Sequence, residues 1–247
     1  MEKIMYQPLQ ELAHTLRLFG VHRHIERRCE QAVVDSLHPT ELLKLILEDE
    51  RDARQAAVAK RLVTRARFRT PSSLEEWDGT VDRGITKVKL KSLARLDFFH
   101  RNENLILEGK TGVGKTHLAI SLGNRLCLDG IATKFYSTNL LFEEVQAEKA
   151  AGRYLKFLGQ IKRTKVLILD DFALRNYTHD EANTLLEILE DRYRNGVAII
   201  TSQVAPEGWK GLFEDPVIGE AITDRLINPS DRQTLTGESY RTKLGRN

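Results

Sequence analysis

An α/β fold, a parallel sheet flanked by helices with a small all-helical domain ahead of it, is predicted by three observations. From Asn104 onward, short apolar runs alternate with stretches of helical periodicity, the pattern of β-α-β units whose strands lie side by side in one direction. Inside that alternation, a glycine-rich turn joins the first apolar run, Asn104 to Leu107, to a helical pattern from His117 to Leu128. Ahead of it, residues 1 to about 67 place apolar side chains at three- and four-residue spacing. We expect residues 1–69 to form the helical domain, 70–103 to lead into the core, and 104–247 to form the core, with little or no room for a helical lid.

The composition agrees. A chain of 247 residues, 41% hydrophobic, can form one large domain or a domain with a smaller companion. No apolar run approaches the ~20 residues of a membrane span. Met1 to Pro8 carry no apolar signal-peptide core. Cys29 and Cys127 lie far apart and outside any ligand cluster, so reduced thiols and a cytoplasmic location are expected. The formal net charge of +3 permits nucleic-acid binding without arguing for it.

Taken in order, Leu9, Leu12, Ala13, Leu16 and Phe19 mark a first helix that Gly20 can end. A second covers Ile25 to Leu37. Pro39-Thr40 opens a third, with Leu42, Leu43, Ile46 and Leu47 as its stripe, continuing through Val58 and Leu62. Its later part is basic: Arg51, Arg54, Lys60, Arg61, Arg65, Arg67 and Arg69 against the single acid Asp52. This is either a solvated face or a nucleic-acid or partner surface. His22 and His24 have no third ligand beside them and read as surface histidines. Thr70-Pro71-Ser72-Ser73 breaks the helix, and Ser72 with Glu75, or Ser73 with Glu76, makes a capping box. Trp77 reads as a packing anchor. A second basic run, Arg83 to Arg101, is interleaved with apolar residues, of which Phe98 and Phe99 enter the core.

In the core, strands are expected at Asn104 to Leu107, Ile131 to Tyr136, Val166 to Asp170 and Val197 to Thr201. Helices follow the glycine-rich turn, span Asn139 to about Arg163 with a break near Gly152 or Gly159, and run from His179 to Asn195. The last has a face of Ala182, Leu185, Leu186, Leu189 and Tyr193.

The turn itself reads G-x-x-x-x-G-K-T from Gly109 to Thr116. In strand-turn-helix context this is a P-loop. Gly109, Lys110, Thr111, Gly112, Val113 and Gly114 wrap phosphates with backbone N–H groups, and the new helix, including His117, adds its dipole. Lys115 reaches the β/γ-phosphates of ATP and the Thr116 hydroxyl ligates Mg²⁺. Val166-Leu-Ile-Leu runs straight into Asp170-Asp171. Such a strand is buried on both faces. Acids at its exit suit charged roles, Asp170 holding Mg²⁺ and Asp171 acting as general base or water-orienting group. One strand intervenes in the chain between the P-loop strand and the acidic strand, which suggests the P-loop class with another strand between those two in the sheet. Gln203, at the end of the apolar strand through Thr201, can touch the γ-phosphate or the attacking water. Arg225, in Ala221-Ile-Thr-Asp-Arg-Leu-Ile227, is either a salt-bridge partner of Asp224 or Asp191, or an arginine finger for a neighbouring subunit's site.

These residues together resemble the AAA+ ATPases of the DnaA/DnaC clade, and more closely the IstB-type helper ATPases of insertion sequences. The resemblance rests on Gly109 to Leu118, Val166 to Phe172, Asp191-Arg-Tyr193, Ile200 to Gln203, Glu207-Gly-Trp209, Ala221 to Leu226, Gly237 to Arg241 and Leu74 to Asp78. It implies a P-loop AAA+ core that binds and hydrolyses ATP, self-assembles as a homo-oligomer on duplex DNA, and assists a cognate transposase. The helical N-terminal domain would serve DNA or partner binding and assembly. The resemblance further implies Arg225 facing a neighbour's ATP, Arg241 as a second sensor, and DNA contacts from the helical stretch before the acidic strand, Lys149, Arg153, Lys156, Lys162 and Arg163, beside Arg54, Lys60, Arg61 and Arg65. Asp171 and Gln203 depart from the commoner Glu and Asn. A replicative helicase loader shares the core and differs in its partner. A small-molecule P-loop kinase would transfer phosphate without assembling on DNA, and an ATP-dependent scaffold would turn over little.

Overall fold

In the computed structural model the described residues are 3–77, 81–193 and 195–239, the side chains of residues 3–5 and 191 excepted. The chain divides into two compact units, Met1–Arg61 and Leu62–Asn247.

The first unit is helical, with α1 (Lys3–Thr15), α2 (Phe19–Val34) and most of α3 (Pro39–Ala66). Gly20 opens α2 and does not end the first helix. Its Cα lies so near the Asp49 backbone that a Cβ would collide with the Asp49 carbonyl. The N–H groups of Gly20 and Val21 donate to the Glu50 carboxylate at 2.8 and 3.3 Å. A glycine is therefore demanded here by close approach to α3, not by helix termination. The Arg28 guanidinium donates to both Asp49 oxygens at 2.7 and 2.8 Å, which holds that carboxyl below its ordinary range. The expected α1 stripe turns largely outward: Leu9, Leu12, Leu16 and Phe19 are exposed and Ala13 is buried.

The second unit is a five-stranded sheet made of β1 (Asn104–Gly109), β2 (Thr133–Ser137), β3 (Val166–Phe172), β4 (Val197–Ser202) and β5 (Ser230–Leu235). Every pairing is parallel, in the order β2-β3-β4-β1-β5. β4 thus lies between the P-loop strand and the acidic strand, as chain order suggested. Around the sheet stand α4 (Lys87–Ala94), α5 (Asp97–His100), α6 (Lys115–Leu128), α7 (Thr138–Ala150), α8 (Tyr154–Lys162), α9 (His179–Arg192) and α10 (Pro216–Ile227). α7 and α8 are separated at Gly152, whose φ is +66°.

Alternate strand residues face two cores. Ile106, Leu167, Leu169, Ala198 and Ile200 meet α7 to α10 on one face. Leu105, Leu107, Val166, Ile168, Val197 and Ile199 meet α6, Leu93, Leu96, Phe98 and Trp77 on the other. That double burial is why the strands read as continuous apolar runs. Ser73 and Glu76 form the capping box. On α9, Ala182, Leu185 and Leu189 are buried as expected and Ile188 joins them. Tyr193 lies past the helix end and is 43% exposed, so it does not complete that face.

β5 was not anticipated. It pairs with β1 along its whole length, Asn104 opposite Ser230 to Gly109 opposite Leu235. Of its six residues only Asp231 and Leu235 are buried. Asp231 accepts two bonds from the Lys89 ammonium at 2.8 and 2.6 Å.

The amino-terminal edge of the sheet is closed by two polar side chains. The buried Arg192 guanidinium donates to the carbonyls of Ile161, Thr164, Lys165 and Val197 at 2.6 to 3.2 Å. The Asn104 amide donates to the carbonyls of Arg225 and Leu226 at 3.0 Å, and its oxygen accepts the Ala198 N–H at 2.8 Å.

Candidate nucleotide site

At the opposite edge, β1 passes through Gly109 into the loop that ends at the start of α6. Gly109, Gly112 and Gly114 all have positive φ, at 145°, 84° and 103°. A Cβ on Gly109 would collide with the Leu235 carbonyl of β5, so both conformation and close approach demand glycine. The Lys115 ammonium, 6% exposed, donates to the carbonyls of Gly109 and Lys110 at 2.7 and 2.8 Å. It lies curled inside its own loop, within reach of anything the loop encloses.

The Thr116 hydroxyl donates to Asp170 Oδ1 at 2.8 Å. The Thr201 hydroxyl donates to the same oxygen at 2.6 Å and accepts the Asp171 N–H at 3.0 Å. Asp170 Oδ2 has no hydrogen-bond partner; the Arg69 guanidinium stands 3.8 Å from it. Three buried side-chain polar atoms lack a partner among the described residues, and this is the charged one. Burial raises the Asp170 carboxyl above its ordinary value, against hydrogen bonds from Thr201 and Thr116 that lower it. An orphaned, fully buried carboxylate oxygen beside a threonine hydroxyl is a donor set that fits a hard divalent cation such as Mg²⁺. No group of three metal-binding side chains occurs among the described residues, so such an ion would take its remaining ligands from water and phosphate.

Asp171 sits where the β3–β4 register shifts, with φ +55°. That irregularity takes Asp171 out of regular pairing at the strand's end. Gln203 reaches the loop directly: its side-chain oxygen accepts the Thr111 hydroxyl at 2.7 Å. His117 lies 6.2 Å, ring to ring, from Trp77, and burial lowers its pKa. The structure therefore gathers Gly109 to His117, Asp170, Asp171 and Gln203 at one edge.

Arg225 is not there. It stands at the far edge, where Asn104 holds the end of its helix. Its guanidinium donates to Glu190 at 2.8 Å and to the Ala221 carbonyl at 2.9 Å. The partner is Glu190, neither of the acids anticipated. The six residues of β1 separate the two edges by about 20 Å, so Arg225 cannot serve its own chain's loop. Arg241 lies outside the described residues. Among the DNA candidates, Lys149 pairs with Asp180 at 3.0 Å, Arg153 with Glu148 at 2.9 Å and Arg54 with Glu50 at 2.7 Å. Arg61, Arg65 and Lys156 are exposed and in no ion pair among the described residues, and Lys60 is exposed.

Four residues at this edge escaped sequence reasoning. Thr201 joins both acids. Arg83 stacks 4.3 Å over Trp77, close enough that a Cβ on Gly114 would touch its guanidinium. Arg69 faces Asp170, and Ser239 would touch a Cβ on Gly112. Arg83 and Arg69 stood in basic runs that gave no hint of individual placement.

Residues 11–247 match the family described as "IstB-like ATP binding protein". The chain belongs to this family. It is 34% identical over 236 residues to an insertion-sequence ATP-binding protein of Mycobacterium tuberculosis, covering 95% of this chain and 94% of that one. It is also 34% identical over 235 residues to the IS21 ATP-binding protein of Pseudomonas aeruginosa, covering 95% and 89%. Among solved structures, DnaI superposes with a TM-score of 0.59 at 22% identity, over 72% of this chain and 98% of that one. AMPPCP-bound DnaA from Aquifex aeolicus superposes with a TM-score of 0.57 at 17% identity, over 73% and 55%. These place the fold among the AAA+ proteins of the DnaA/DnaC type. The family member described here is an ATP-binding AAA+ protein. No helix among its described residues is long and apolar enough to cross a membrane.

Proposed function

We propose that this chain hydrolyses ATP and, in its ATP-bound form, assembles on duplex target DNA, remodels it and recruits or stimulates a partner transposase, with hydrolysis driving disassembly. The observation that carries the reading is the convergence at one sheet edge of the Lys115 ammonium, the Thr116–Asp170 pair with its orphaned oxygen, and Gln203 on Thr111. Membership in a family of insertion-sequence proteins supplies the biological setting.

In this reading Gly109 to Thr116 wrap the phosphates with N–H groups, and Lys115 leaves its own carbonyls for the β/γ-phosphates. Thr116 and Asp170 would hold Mg²⁺, which supplies positive charge against the phosphate oxygens when bound. Asp171, freed from regular pairing at the strand exit, accepts the proton of the attacking water. Gln203, bonded to the loop through Thr111, reports the γ-phosphate. Arg225, about 20 Å from its own loop by the length of β1, acts on the neighbouring subunit's ATP after parting from Glu190.

A second reading, a replicative helicase loader, is favoured by the fold likeness to the DnaC helicase loader, TM-score 0.55 at 21% identity. It keeps the site chemistry and changes the partner.

Sedimentation of the full chain with a long fluorescent duplex, in ATP, in ADP and without nucleotide, tests the proposal. A large assembly is expected only with ATP and DNA together. An Asp171→Ala chain should still assemble yet stop releasing phosphate. A monomer under every condition sinks the assembly reading and turns attention to helicase partners and small phosphate acceptors.

A further inference from the structure

Arg65 and Arg67, and Arg163 nearly a hundred residues later in sequence, meet at one cavity of about 550 Å³, where the end of α3, the edge strand β2 and the end of α8 come together. Arg65 and Arg67 enter it from α3 and the residue after it, Lys134 from β2, and Arg163 from the residue that closes α8. No acidic side chain lines it. Glu144, which is outside the lining, accepts from Arg67 at 3.0 and 3.1 Å. Arg65 and Arg163 are exposed and form no ion pair among the described residues.

We infer that this groove binds the phosphodiester backbone of duplex DNA. The inference rests on the DNA-binding reading above and names the surface that carries it. Four cations around a cavity with one neutralising acid repel one another, and an anion relieves that repulsion. The strain is visible at Lys134: burial lowers its pKa, and the adjacent Arg67 lowers it further. Its ammonium meanwhile donates to the Arg65 carbonyl at 3.1 Å, which leaves two of its three donors for a ligand. The floor of the groove selects the part of the nucleic acid that is read. Tyr136 and Ile161 are buried, 6% and 2% exposed, so no aromatic face is offered for an unstacked base. What remains is charge and N–H donors, which recognise phosphates without regard to sequence. By contrast, Lys149 and Arg153 are already engaged by Asp180 and Glu148.

The test uses the full chain with ATP and a fluorescent duplex, measuring affinity against salt concentration. The R65A/R163A chain should bind about 10-fold or more weaker near 0.1 M salt, equally on unrelated sequences. Its salt slope should be shallower by about 2, since each lost phosphate contact removes about 0.9. R65K/R163K should restore the slope, because lysine serves a phosphate as a point charge. K149A/R153A should stay near the parent. Nucleotide affinity and melting temperature of R65A/R163A check its folding, and both side chains are exposed enough to leave them unchanged. If the parent chain binds duplex and R65A/R163A keeps its slope and affinity, the groove is not the contact surface. If the parent chain binds no duplex in any nucleotide state, the DNA-binding reading itself fails.

Discussion

The two edges of the sheet hold polar groups in opposite ways. At the amino-terminal edge the main-chain carbonyls are answered by side chains: Arg192 satisfies four, and Asn104 satisfies two more together with one N–H. At the carboxyl-terminal edge the polar groups are left over. Asp170 Oδ2 is buried without a partner, and Lys115 is spent on carbonyls of the loop it belongs to. Burial acts on charge at both ends. It lowers the Arg192 guanidinium to about 10 and raises the Asp170 carboxyl, but at the first edge four neutral acceptors meet the charge. The difference separates a staple from a site. A buried ion whose bonds are complete stabilises the fold, and one left incomplete marks where a ligand comes in.

That contrast can be broken by substitution. The largest effect is expected from Arg192→Leu, which strips partners from four carbonyls while leaving the apolar stem's volume roughly filled. Losing these bonds should destabilise the fold by about 3 kcal/mol or more, read by denaturant titration. A loss under about 1 kcal/mol would mean that water replaces the guanidinium and the edge is no staple. Lys115→Ala comes next. Its ammonium donates to two carbonyls of its own loop, so the loss should fall mainly on the ligand: ATP affinity drops about 100-fold, the worth of roughly two charge-assisted bonds. Unchanged affinity by calorimetry would remove the loop from nucleotide binding. Mixed with an Arg225→Ala chain, the same variant should recover hydrolysis at sites that combine an intact loop with a neighbour's intact arginine, whereas two inactive chains that stay inactive together would place Arg225 outside catalysis. The smallest effect belongs to His117. Burial lowers its pKa from the ordinary 6.5, so the folded state resists a proton that the unfolded state accepts. Its share of stability is complete above pH 6.5 and is lost as pH falls from there through the lower folded-state value. His117→Gln should flatten the acid limb of the stability curve below pH 6.5; an unaltered limb would place the titration elsewhere.

How much of this was legible follows from what periodicity and motif can carry. The P-loop, its two flanks and the acidic strand were readable, because double burial writes itself as Val166-Leu-Ile-Leu and glycine as the loop's positive φ. That a strand lies between β1 and β3 in the sheet followed from chain order; that it is β4 is a finding of the structure. Gly20 was misread, because a glycine needed for close approach looks the same in sequence as one that ends a helix. Tyr193 sat in register with the α9 face but one residue past the last turn. Arg192 belongs to a motif, yet nothing in Asp191-Arg-Tyr193 says that its guanidinium gathers carbonyls from three segments. The basic groove was out of reach for the same reason. Arg65 and Arg67 stood in a visible basic run, but Lys134 lay within a strand that read as apolar, and their meeting is a property of the sheet edge.

β5 has a consequence for how such proteins change over generations. Its place is secured by main-chain bonds to β1 and by two inward side chains, Asp231 and Leu235. The outward positions, Arg232 and Thr234, bond to the exposed and half-buried carboxylates of Glu207 and Glu108, so substitution there should leave the main-chain architecture in place. Two relatives could share this edge strand atom for atom in backbone while an alignment of their letters shows almost nothing in common there. The strand that borders the nucleotide loop is in this sense the part of the sheet most easily hidden by evolution, and also the part most readily re-engineered.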